Sequence, residues 1–138
     1  MTHVIVIAAG VVGALILLLL AMFAFSHYGN MVGWSLILPI ARARRKIGRL
    51  VRAKYPDARV SSLGASAINP VHLCICINVQ RDSEKEKLLA DQELMYRMKE
   101  ALRDSGYPAE AIAEVGFSIE SQQTVDRDFA GNWFYAHK

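Results

Sequence analysis

The chain has 138 residues, 53% hydrophobic and 21% charged, with a formal net charge of +3. That length fits one domain, the composition excludes a wholly disordered chain, and two cysteines exclude a disulfide-stapled mini-protein. A mean hydropathy of +0.20 is high for so small a soluble protein and directs attention first to a membrane segment.

Val4 to Phe25 reads VIVIAAGVVGALILLLLAMFAF, 22 residues without a charge. As an α-helix such a run spans about 33 Å, against a hydrocarbon core of about 30 Å. A helix apolar on every face is poorly accommodated in a small soluble core. A cleaved signal peptide would carry a basic leader and a shorter apolar run. The expectation is therefore a transmembrane anchor over residues 1–28. Ala9/Gly13 and Gly10/Ala14 form two small-xxx-small pairs, which let helices approach closely in lipid. No Lys or Arg precedes the run and seven cluster between Arg42 and Lys54 after it, so the N-terminus is expected outside and the C-terminal part cytoplasmic, at an inner or plasma membrane.

Residues 29–55 are expected to combine an interfacial segment, Met31 to Ala41, with a basic amphipathic helix. Pro39 is expected to bend the first part. In the second, Ile40, Ala43, Ile47, Leu50, Val51 and Tyr55 share one helical face. Arg42, Arg44, Arg45, Lys46, Arg49, Arg52 and Lys54 supply the rest of the surface and suit anionic lipid headgroups. Residues 1–55 carry +7 and residues 56–138 carry −4, so the basic pI belongs to this collar alone. Binding of nucleic acid through the collar is a weaker reading, because no stacking aromatics are interleaved and the adjoining domain is acidic.

Residues 56–138 read as a cytosolic α+β domain. Val60 to Ile68 is a weak strand and Val71 to Gln80 a clear one, with Val71, Leu73, Ile75, Ile77 and Val79 on one face. A capping-box pattern at Ser83 and Glu86 opens one long helix ending before Gly106. Pro108 to Glu114 is a helical turn, Gly116 to Val125 a third strand, and Asn132 to His137 a fourth. The expected fold class is α+β: an N-terminal transmembrane helix followed by a small α/β sandwich of order α-β-β-α-β-β, with an antiparallel or mixed sheet.

Catalytic signatures are sparse. His72, Cys74 and Cys76 would share a strand face and suit a soft metal, but two small buried reduced thiols are the favoured reading, with no ligand needed. Asp126-Arg127-Asp128 reads as a solvated loop with local ion pairs. No nucleotide loop or nucleophile motif is present. An exposed member of Trp133-Phe134-Tyr135 would suit a partner. The sequence thus points to a non-enzymatic, cofactor-free, single-pass membrane adaptor that presents a protein-binding module. Its expected partners are the lipid bilayer, anionic headgroups, and another protein or a second copy of the chain. The alternatives are a membrane-tethered metal or redox sensor, and nucleic-acid recruitment.

Overall fold

The computed structural model of the chain describes residues 13–22 and 32–137. Within the second range the order is α1 (Val32–Arg52), β1 (Arg59–Leu63), a 3-10 turn (Pro70–His72), β2 (Cys74–Val79), α2 (Asp82–Ala90), α3 (Gln92–Arg103), a 3-10 segment (Ala109–Glu114), β3 (Gly116–Ser121), α4 (Gln122–Phe129) and α5 (Trp133–Ala136).

The sheet has strand order β1-β2-β3 and is mixed. β2 pairs antiparallel with β1, placing Ser61 opposite Cys76, and parallel with β3, placing Ile77 opposite Ile119. Period-two alternation sends Ile75, Ile77 and Val79 to one face, where all three are buried. Ala43, Ile47 and Val51 of α1 join them, with Leu88 of α2 and Leu94, Met98 and Leu102 of α3, in one core. Helical spacing of three and four residues makes this possible, since it stacks the apolar side chains of α1 and α3 into facing stripes. The opposite sheet face carries Arg59 and Ser61, Cys74, Cys76 and Asn78, then Ser118 and Glu120.

Several expectations are corrected here. The α+β class is seen, but the sandwich order α-β-β-α-β-β is not. The segment expected as a fourth strand, Asn132 to His137, holds α5 instead, because the Asn132 side chain accepts from Phe134 N at 3.0 Å and caps a helical turn. The third strand stops at Ser121, whose hydroxyl accepts from Thr124 N at 3.0 Å and starts α4. The long helix divides at Asp91, whose carboxylate accepts from Leu94 N at 2.9 Å and caps α3. The clear strand begins at Cys74, because Asn69 caps the 3-10 turn that holds His72. The interfacial piece and the basic helix are one element, which continues through Pro39.

The membrane reading is corrected as well. No helix among the described residues is long and apolar enough to cross a membrane. The long one, α1, has 21 residues, but its second half carries Arg42, Arg44, Arg45, Lys46, Arg49 and Arg52. The single-pass anchor is therefore not supported. With it go the membrane localisation and the membrane-anchored adaptor built on it. Of the run Val4 to Phe25, residues 4–12 and 23–25 lie outside the described residues. Residues 13–22 are helical, with Leu15 to Leu20 and Met22 exposed.

The helix-packing expectation placed on Ala9, Gly10, Gly13 and Ala14 is divided by the same boundary. Ala9 and Gly10 lie outside the described residues, so neither small-xxx-small pair is described as a pair. Of their second members, Ala14 is exposed, and a Cβ added at Gly13 would meet nothing within 4 Å among the described residues.

Candidate functional site

The face of α1 that remains outside the core is basic. Ala43, Ile47 and Val51 are fully buried, which fixes the helix rotation and turns Arg42, Arg44, Arg45, Arg49 and Arg52 outward. Lys46 and Leu50 sit at the border, half-buried, beside α3.

Two lysines, Lys46 on α1 and Lys54 just past its end, fasten this part of the chain to opposite ends of α3. Lys54 Nζ donates to Asp91 Oδ2 at 2.5 Å, at the start of α3. This bond raises the Lys54 pKa and lowers that of Asp91. At the other end, Lys46 Nζ donates to the Asp104 main-chain carbonyl at 3.2 Å and lies 3.9 Å from Oδ2. A cation there also meets the negative end of the α3 dipole. The two helices consequently run antiparallel with their ends tied.

Between the ties lies a groove of about 480 Å³. Leu50, Ala53, Leu94 and Ala101 give it an apolar floor, and Lys46, Arg49, Lys54 and Arg97 a basic rim. Glu100 and Asp104 also line it, but Glu100 pairs with Arg103 and Asp104 with Lys46. Arg49 and Arg97 form no ion pair among the described residues. The groove thus presents apolar area flanked by two guanidiniums outside any ion pair among the described residues, and each is a planar five-donor fork suited to carboxylates.

The remaining predicted residues are dispersed. His72 stands on the 3-10 turn, off the strand that carries Cys74 and Cys76, so the common ligand face is absent. Among the described residues no group of three His, Cys, Asp or Glu could hold a metal ion. This removes the geometry behind the metal-sensor reading. Asp126, Arg127 and Asp128 lie on α4, where Arg127 Nε donates to Asp128 Oδ1 at 2.9 Å. Phe134 and Tyr135 are exposed and meet edge-on with ring centroids 5.6 Å apart. Trp133 is half-buried and stacks on His137.

Sequence reasoning identified the cations of this groove but missed Arg97 and both lysine ties. Arg97 looks like any solvated helix residue. Asp91 and Asp104 lie 37 and 58 positions from their lysines, beyond any local pattern. Compared with known proteins, the chain matches no family model, no curated protein and no solved structure.

Proposed function

We propose that the chain is a non-enzymatic interaction module that takes an acidic, amphipathic segment of another protein into the groove between α1 and α3. The observation that carries this reading is the pairing of an apolar floor with Arg49 and Arg97, neither of which forms an ion pair among the described residues. Apolar anchors on the segment would fill the floor at Leu50 and Ala53, and flanking carboxylates would meet the two guanidiniums. Helix-in-groove recognition uses anchors at spacings of three, four and seven residues. The charges would govern encounter rate and partner choice more than total affinity.

The test is calorimetric titration of the chain with a synthetic amphipathic peptide that has a leucine stripe and glutamate flanks. Binding is expected to weaken as salt rises. The double variant Arg49→Glu, Arg97→Glu should weaken it at least about tenfold, or about 1.4 kcal/mol. Replacing the peptide glutamates by lysines should restore affinity for that variant. Binding of duplex DNA or anionic vesicles in place of the peptide would overturn the proposal, as would equal affinity in the double variant.

A further inference from the structure

We infer that the cleft between Arg59, Asn78, Gln80, Gln122 and Trp133 is a binding site for a small carboxylate. The site is separate from the helical groove and independent of the function proposed for it.

Its position follows from the topology. β2 and β3 run parallel, so Gln80 and Gln122 each sit just past the carboxyl end of a strand, on the same edge of the sheet. β1 is antiparallel and starts at that edge, which sets Arg59 directly opposite Asn78. In open sheets, ligands collect outside the carboxyl ends of parallel strands, where the following loops diverge. α5 closes one side and supplies the Trp133 ring. The resulting cleft has a volume of about 220 Å³. That is below the roughly 300–1,000 Å³ of sites for drug-sized ligands, so its occupant is a molecule of few carbons.

The lining selects for negative charge. Among the described residues, Arg59 is the one charged member of the lining and no carboxylate lines the cleft. Arg59 forms no ion pair among the described residues. The amides are oriented by their neighbours. His137 donates through Nε2 to Asn78 Oδ1 at 2.9 Å, while His137 Nδ1 accepts from the Ser118 hydroxyl at 2.7 Å. The lowered pKa of His137, caused by burial, agrees with this neutral ring. Asn78 is left with its NH₂ as the available end. Gln122 is committed at both ends, donating to Asp126 Oδ1 at 2.8 Å and accepting from Trp133 Nε1 at 3.2 Å. That pair holds the indole in place as a wall. What the cleft offers a ligand is therefore chiefly donors, the Arg59 fork and the Asn78 NH₂, beside the Gln80 amide, which can present either end. A planar carboxylate accepts two parallel bonds from a guanidinium and presents a flat face to an indole.

The experiment uses Trp133 fluorescence in the Trp34→Phe chain, where Trp133 is then the remaining tryptophan of the two, with calorimetry alongside. Succinate is the probe, with its neutral isostere succinamide and inorganic phosphate as comparators. Saturable succinate binding near or below about 1 mM is expected, with succinamide at least about tenfold weaker. Arg59→Gln should weaken succinate at least about tenfold while its circular dichroism stays native. The remote exposed Lys87→Gln should bind as the parent does. The proposal is overturned if neither anion saturates the signal, if phosphate binds and succinate does not, if succinamide binds as well as succinate, or if Arg59→Gln binds unchanged.

Discussion

Arg127 Nη1 donates to Asp82 Oδ2 at 3.0 Å, joining the first turn of α2 to α4 across 45 positions of chain. The other carboxylate oxygen, Oδ1, accepts from the Ser121 hydroxyl and, at 2.8 Å, from Thr124 Oγ1. Ser121 in turn caps α4, and Gln123 Oε1 accepts from Asp82 N at 2.9 Å. A single carboxylate therefore organises the start of two helices.

These bonds, Ser121 foremost and then Arg127 and Thr124, hold the Asp82 pKa down to about 2 from an ordinary 3.8. A depressed folded-state pKa stabilises the fold above the unfolded value and ceases to do so below the folded one. The contribution is thus complete above 3.8 and is lost as pH falls through about 2. Urea unfolding of the parent and Asp82→Asn across this range is expected to show a gap that is constant near neutrality and closes with acid. A gap independent of pH would contradict the assignment.

Ile47 is fully buried in α1, in the same core as Ile75, Ile77 and Met98. Ile47→Ala should cost roughly 2–5 kcal/mol, through lost burial and the cavity left behind. Arg45→Ala, two positions away and exposed, should stay within about 0.5 kcal/mol. Chemical denaturation measures both. Near-equal costs would mean that α1 is an appendage and not a wall of the core.

The features readable in the sequence were those written in local periodicity. Ile75, Ile77 and Val79 alternate with polar neighbours, and β2 is where that alternation places a strand. Ala43, Ile47 and Val51 repeat at helical spacing, and their face is buried. Where a capping side chain overrides propensity, the reading failed. Trp133-Phe134-Tyr135 has strand-like residues, yet Asn132 caps a helix there, following the left-handed Ala130 and Gly131. Asp91 looks like one more solvated acid on a continuous helix and instead ends one helix and caps the next. At the groove, positive charge was legible because it is a count along one helix. The acids that pair with Lys46 and Lys54, Asp104 and Asp91 at the two ends of α3, arrive through tertiary packing, whereas Arg49 and Arg97 form no ion pair among the described residues.

Gly64 has φ +108, and a Cβ there would fall 1.9 Å from the His72 carbonyl oxygen. Gly106, just past α3, has φ +84, and a Cβ there would meet nothing within 4 Å among the described residues. Gly106→Ala should incur the backbone term alone, about 1–2 kcal/mol. Gly64→Ala adds a collision with main chain and should exceed that figure, with a correspondingly larger fall in Tm. Equal losses in thermal unfolding would show that the loop between β1 and β2 yields freely.

Cys74 and Cys76 lie two apart on the same sheet face, but only Cys76 is completely buried. Burial disfavours its thiolate and pushes the thiol up to about 12. Since the thiolate is the nucleophile, Cys76 should be nearly inert at neutral pH in the folded chain. Cys74, at the start of β2, is half-buried and so the more exposed of the two. Iodoacetamide followed by peptide mass spectrometry should show modification of Cys74 while Cys76 stays free, with both modified in urea. Because Cys76 reacts only when the chain opens, its rate should follow the global unfolding equilibrium and rise in Ile47→Ala. Native-state labelling of Cys76 as fast as Cys74 would place it outside the protected sheet.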